Sequence, residues 1–113
     1  MCGIAGIIYK NNIEDGSDIK RMTDAISHRG PDGEGFIAIS SPSGKVTELG
    51  GKKLPPVSNF GANADIYLGH RRLAILDLSD KAHQPIANNR KDIWLICNGE
   101  IYNLRLAVLL VGQ

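Results

Sequence analysis

Several features that mark specialised protein classes are scarce in this sequence. Its 113 residues include two cysteines, 95 positions apart, and 5% aromatic residues. Two distant cysteines do not make a disulfide framework, and the start lacks a basic segment followed by an apolar stretch and a cleavage site. These absences argue against a secreted, disulfide-stabilised protein and predict a cytoplasmic one.

Charge of one sign and long apolar runs are lacking as well. Thirteen basic and 12 acidic residues give a formal net charge of +1, which argues against nucleic acid or an anionic membrane as partner. The two longest strongly apolar runs, 93–97 and 106–111, are far shorter than the roughly 20 residues that cross a bilayer. We therefore expect a soluble chain that binds a small molecule or another protein.

The composition that is present fits one small globular domain. With 42% hydrophobic and 22% charged residues, the chain can form a core. Apolar patterning and turn residues predict one helix, an exposed loop and several strands. The helix spans 17–28, the loop about 50–65, and the strands 6–9, 35–39, 45–49, 66–70, 72–77 and 93–97. Many short strands with one early helix predict an α+β fold with mainly antiparallel sheets.

The predicted helix has recognisable signals at both ends. Ser17 or Asp18 is expected to cap its start, and Gly30 to end it. The apolar residues spaced for one buried face are Ile19, Met22 and Ile26. Segment 28–33 then has the composition of a helix end and a turn, and nothing physical requires a catalytic histidine there.

Cys2 is the first candidate for chemistry. Removal of an initiator methionine favours a small second residue, and it would leave a cysteine that carries both a thiol and a free α-amine. Such an amine is partly neutral near physiological pH and can accept the thiol proton. An N-terminal cysteine can thereby attack an acyl carbon without a histidine. A Met-Cys start alone, however, occurs by chance more often than by function.

Asn98 and Gly99 allow two interpretations. Asn-Gly between two apolar runs is a common hairpin turn, and taken alone this is the favoured reading. The Asn side-chain amide and the following backbone N–H could also form an oxyanion hole, which stabilises the charge that acyl transfer places on a carbonyl oxygen.

Arg71 and Arg72 are candidates for binding a carboxylate. A planar guanidinium can hold a carboxylate through two parallel hydrogen bonds, which lysine cannot do. Sequence spacing alone does not decide which of the two arginines would serve.

Five motifs occur in an order that resembles a known family. They are Met-Cys-Gly-Ile-Ala-Gly at 1–6, His-Arg-Gly-Pro-Asp at 28–32, Gly-His-Arg-Arg-Leu-Ala-Ile-Leu-Asp at 69–77, Gln-Pro at 84–85 and Asn-Gly-Glu-Ile-Tyr-Asn at 98–103. Together they resemble the N-terminal glutaminase domain of glutamine-hydrolysing asparagine synthetases, a class II glutamine amidotransferase. The resemblance implies an N-terminal-nucleophile hydrolase fold, an αββα sandwich.

The resemblance also implies roles for individual residues. Cys2 matches the nucleophile, with its α-amine as general base. Arg72 matches the residue that binds the α-carboxylate of glutamine, with backbone help from Ile75 and Leu76. The residues matching the oxyanion hole and the contact to the substrate amine are Asn98, Gly99 and Glu100. The implied reaction converts glutamine to glutamate and ammonia.

The implied partners are glutamine and a C-terminal synthetase domain that uses ATP and Mg to activate aspartate; a homodimer is left open. No cofactor is expected in this domain, and the spacing of its histidines and Cys97 fits no zinc site. Family domains continue to an acidic segment that this sequence lacks. We therefore expect residues 1–113 to be a single partial domain, incomplete at the C-terminus and without the synthetase domain. The alternatives are an inactive fragment that binds a partner, and a glutaminase that feeds an amino-sugar or purine precursor.

Overall fold

A computed structural model describes residues 2–61, 64–73 and 83–98. Within these ranges the chain forms one α-helix, four strands in one antiparallel sheet and two in another. The elements are β1 (Gly3–Ile8), α1 (Ser17–Ala25), β2 (Gly33–Ser40), β3 (Lys45–Leu49), β4 (Ile66–Arg72), β5 (Ile86–Ala87) and β6 (Trp94–Leu95). Antiparallel sheets with one helix agree with the predicted α+β class.

The large sheet has the strand order β1-β4-β2-β3. β4 lies in the middle, where Gly3 of β1 pairs with Arg71 and Gly33 of β2 pairs with Arg72. Successive side chains of a strand point to opposite faces. The end of β4 is thus held between the start of β1 and the start of β2, and neighbouring residues there serve different faces.

Helix α1 covers one face of this sheet. The core beneath it is formed by residues from the helix, the strands and the loop before β4: Ile19, Phe36, Ala38, Leu49, Val57, Ala64 and Tyr67. Tyr67 is fully buried, and its ring makes edge contacts with Tyr9 and Phe60. Helix and sheet come close at Gly69, where a Cβ would lie 2.6 Å from Thr23 Cγ2 and 3.1 Å from Phe36 Cδ1.

The helix differs from its prediction at both ends. It ends at Ala25 and is followed by a short 3₁₀ turn, Ser27–Arg29. Its N-cap is Gly16, which supplies no side-chain cap, and the Asp15 carboxylate accepts the Ser17 N–H at 3.0 Å instead.

The predicted buried face was wrong at one position. Met22 is 36% exposed, and Thr23 is buried in its place. Threonine is tolerated there because its hydroxyl donates to the carbonyls of Ile19 and Lys20, which satisfies the buried oxygen within the helix.

The predicted exposed loop at 50–65 needs correction as well. Val57 and Ala64 are each 1% exposed, and Val57–Asn59 forms a 3₁₀ turn. Glycine and proline in this segment indicate turns correctly, but its apolar residues still enter the core.

The structure differs from the prediction at two further strands. Arg72 ends β4 instead of starting a new strand, and 74–77 lie outside the described residues. Of the predicted strand at 93–97, only Trp94–Leu95 has strand pairing. None of the helices in the described ranges is long and apolar enough to cross a membrane.

Candidate active site

Cys2 directly precedes β1, which begins three residues earlier than the predicted strand 6–9. Its Sγ accepts a hydrogen bond from the backbone N–H of Leu73, at 3.3 Å, and lies 3.9 Å from the Leu73 carbonyl oxygen. Because β1 and β4 are antiparallel, the start of one lies beside the end of the other. The Cys2 thiol is thus held by a backbone donor at the end of the sheet where β1 begins and β4 ends.

The two adjacent arginines take different positions at this end of the sheet. Arg71 shares a face with Glu34, its partner across the β2–β4 pair, and its side chain is 13% exposed. Arg71 Nη1 donates to Glu34 Oε2 at 2.9 Å, and Nε donates to the Gly30 carbonyl at 3.0 Å. Arg72 belongs to the opposite face by strand alternation. Arg71 is thus engaged in internal contacts, and the role of Arg72 as the carboxylate-binding residue stays a prediction.

Arg29 makes a contact with Cys2 that the sequence did not predict; from sequence its segment could brace the wall of the site, with Arg29 and Asp32 as a local ion pair. It lies in the segment read as a helix end, and its Nε donates to the carbonyl oxygen of Cys2 at 3.1 Å. A few residues on, the Asp32 N–H donates to the Arg72 carbonyl at 2.9 Å. The loop 29–32 therefore touches both Cys2 and Arg72. The motif His-Arg-Gly-Pro-Asp was the available signal, although nothing in its spacing gives this contact.

Asn98 is an exposed residue in a bend after β6. Just before it, the Cys97 N–H donates to Gln84 Oε1 at 2.7 Å, which connects the Gln-Pro motif to the residue that precedes the Asn-Gly motif. The other predicted site residues, Ile75, Leu76, Gly99 and Glu100, lie outside the described residues, and their roles stay predictions.

His70 is the buried titratable residue nearest this end of β4. It is 1% exposed, and its Nε2 has no hydrogen-bond partner within the part of the chain that the structure describes. Burial lowers the pKa of His70, a hydrogen bond with the Cys97 backbone opposes that, and the nearby His83 and Arg72 lower it further. His70 is therefore neutral at neutral pH and adds no second positive charge beside Arg72.

The sequence profile of the glutamine amidotransferase domain family matches residues 1–54 and 55–107. The chain belongs to this family. The resemblance derived from the five motifs is thereby confirmed at the level of the family.

Named relatives of this glutamine amidotransferase domain agree with the match. A relative from Methanocaldococcus jannaschii that carries the name of a glutamine-hydrolyzing asparagine synthetase is 40% identical over 91% of the chain. Asparagine synthetase (glutamine-hydrolyzing) 1 of Bacillus subtilis is 30% identical over 91% of the chain. A relative from Acanthamoeba polyphaga mimivirus, which also carries the name of a glutamine-hydrolyzing asparagine synthetase, is 34% identical over 93% of the chain. The similarity therefore extends over nearly the whole chain.

The chain spans a small part of these relatives: 19% of the first, 13% of the second and 16% of the third. No solved structure matches the chain. The matches thus concern the amidotransferase domain and leave the rest of each relative uncompared.

Two other features of this glutamine amidotransferase domain lie apart from Cys2. A groove of about 350 Å³ lies near Ser40 and Lys45, at the far end of β2 from the Gly33–Arg72 pair. Among the described residues, no group of three or more His, Cys, Asp or Glu side chains could hold a metal ion. The candidate site is accordingly assigned from the contacts of Cys2.

Proposed function

We propose that this glutamine amidotransferase domain hydrolyses glutamine to glutamate and ammonia, with Cys2 as its nucleophile. The observation that carries the proposal is the position of Cys2 Sγ, 3.3 Å from the Leu73 N–H, immediately after Arg72. A thiol, a hydrogen-bond donor and a carboxylate-binding candidate thus lie at one end of the sheet in a chain of this family.

The reaction follows from the groups that Cys2 has once Met1 is removed. Its α-amine takes the thiol proton, and the sulfur attacks the side-chain amide carbon of glutamine. The C–N bond breaks, the proton passes to the leaving nitrogen, and ammonia departs. Water then attacks the thioester, releasing glutamate and restoring the thiol. The same amine accepts the proton of that water and returns it to sulfur.

The remaining roles distribute substrate binding and charge stabilisation. Arg72 binds the α-carboxylate of glutamine, supported by the backbone of Ile75 and Leu76. The oxyanion that forms in both steps is stabilised by Asn98 and Gly99, a type of interaction worth roughly 3–4 kcal/mol per donor. Glu100 binds the α-amine of the substrate.

The destination of the ammonia is proposed from the names of the relatives. Each is named a glutamine-hydrolyzing asparagine synthetase, which favours ATP-dependent amidation of aspartate in a synthetase domain that holds ATP and Mg. No cofactor is assigned to residues 1–113. Cytoplasmic location and homodimer formation stay predictions.

A glutaminase assay on the Cys2→Ala variant tests the mechanism. We expect ammonia release to fall to background, because the variant keeps the α-amine but no other described group replaces the thiol of Cys2. Cys97→Ala is the matched control, since it removes the other cysteine side chain, and it should retain activity. Mass spectrometry of the purified protein should show that Met1 has been removed.

Ammonia release by Cys2→Ala equal to that of the unaltered chain would contradict the assignment of the nucleophile. Absence of activity in a processed, folded, full-length protein would instead favour the non-catalytic alternative.

A further inference from the structure

We infer that Arg71 is a positioning residue for the nucleophile, because it clamps the 29–32 loop, which contacts Cys2, against the end of β4. The inference rests on the proposed function for its catalytic consequence. Its structural basis is the half-buried ion network on the helix-covered face, which the assigned reaction does not use.

Arg71 bridges two elements, the 29–32 loop and β2. Nε donates to the Gly30 carbonyl of the loop, and Nη1 donates to Glu34 of β2, at 3.0 Å and 2.9 Å. A guanidinium has donors that point in different directions, so one side chain can make both contacts. A lysine carries all its donors on one nitrogen, so it lacks the separate Nε and Nη1 groups with which Arg71 contacts Gly30 and Glu34.

Glu34 is itself held in place from the helix. Lys20 Nζ lies 3.0 Å from Glu34 Oε2 and 2.9 Å from Asp24 Oδ1. Burial opposes a charged Lys20, but hydrogen bonds with Asp24 and Glu34 outweigh it and raise the pKa of Lys20. Lys20 therefore stays protonated at neutral pH, and the ion network connects α1, β2, β4 and the loop.

The loop carries this restraint to Cys2. Arg29, adjacent to the clamped Gly30, donates to the Cys2 carbonyl at 3.1 Å. On the other side, the Asp32 N–H contacts the Arg72 carbonyl at 2.9 Å. Without Arg71 the loop would lose its side-chain tie to β4, and Sγ would no longer be held against the Leu73 N–H. The effect should fall on the reaction rate more than on substrate binding.

Four variants of the full chain test this clamp. Arg71→Met removes both contacts, Arg71→Lys keeps a charge for Glu34, and Glu34→Gln removes the charge opposite Arg71. Arg21→Met is the control, because Arg21 also pairs with a carboxylate on the helix but is 78% exposed. Two readouts are needed: kcat and KM for glutamine, and the pH profile of Cys2 alkylation by iodoacetamide, with Cys2 and Cys97 separated by peptide mapping.

We expect Arg71→Met to lower kcat about tenfold or more while KM changes less than about threefold, because small displacements of a reacting group are costly. Cys2 alkylation should slow about threefold at neutral pH and its pH profile should differ from that of the unaltered chain, since Sγ loses its fixed position against the Leu73 N–H. Cys97 alkylation should not change. Arg71→Lys should recover part of the loss, and Arg21→Met should match the unaltered chain.

A kcat within about twofold of the unaltered chain for Arg71→Met would overturn the inference. If that variant does not fold by circular dichroism, Arg71→Lys and Glu34→Gln decide, and normal kcat and Cys2 alkylation in both would overturn it. If the unaltered chain hydrolyses no glutamine, the proposed function fails by itself. The alkylation profile then still decides the clamp, and an unchanged profile in Arg71→Met would refute it.

Discussion

Replacing Gly30 with alanine would test how closely the 29–32 loop packs against β4. A Cβ at this position would lie 2.4 Å from the Arg71 carbonyl carbon and 2.7 Å from the Arg72 nitrogen. Both are backbone atoms of the central strand, so neither can turn aside as the end of a flexible side chain could. The loop would have to move away from the strand that holds the candidate site.

The size of the effect follows from two opposing contributions. Forcing an extra carbon into a packed site costs about 1–3 kcal/mol. Alanine also restricts the unfolded chain more than glycine does, which returns about 0.4–1 kcal/mol. We therefore expect the free energy of unfolding to fall by about 1–2 kcal/mol.

Gly33→Ala provides a matched control three residues away. Its Cβ would meet nothing closer than the Arg72 Cβ at 3.8 Å, an ordinary contact. The crowding cost is then absent, and the variant should be unchanged or more stable by up to about 1 kcal/mol. Both substitutions add one methyl group, but only Gly30→Ala should lower the free energy of unfolding.

Urea unfolding followed by circular dichroism measures both variants. A lower midpoint at constant slope for Gly30→Ala would report a loss of stability without a change in the surface exposed on unfolding. Equal midpoints for Gly30→Ala and the unaltered chain, or an equal loss in Gly33→Ala, would refute the packing argument.

Two further predictions concern buried polar side chains. Tyr67→Phe should lower the free energy of unfolding by about 1–2 kcal/mol, because the Glu14 carbonyl loses its hydroxyl donor. Tyr9→Phe should cost less in the same urea assay, because its partner Asp18 is only half-buried and keeps its contact with Arg21. Burial lowers the pKa of His70 in the folded chain below its ordinary value of 6.5. As pH falls, the unfolded chain therefore takes up a proton at His70 before the folded chain does, and the free energy of unfolding should decrease below about pH 6.5. His70→Gln should flatten this dependence in urea titrations between about pH 7 and pH 5, and an unaltered slope would count against it.

Local patterning predicted much of the fold because it depends on neighbours in sequence. The antiparallel class, the helix and the position of Cys2 before the first strand agree with the structure. Thr23 is buried where Met22 was predicted to be, because a threonine hydroxyl can be satisfied within its own helix. Val57 was missed because a turn-rich composition does not show which side chain points inward.

The candidate site was predictable in its residue types and less so in its contacts. Sequence alone left Arg71 and Arg72 as equals, and their separation depends on the register of β4 with its two neighbours. The contact of Arg29 with Cys2 joins residues 27 positions apart, which no local pattern encodes. For Asn98, the sequence allows both a hairpin turn and a role in an oxyanion hole.

The close approach at Gly69 has a consequence for how faithfully the strand aligns. If β4 slipped by one residue, Leu68 or His70 would take the place of Gly69 against Thr23 and Phe36, where even a Cβ does not fit. The same slip would exchange the faces of Arg71 and Arg72. Gly69, which is remote from Cys2, thus favours a single register of β4, because the core has no room for the side chain that a one-residue slip would place there.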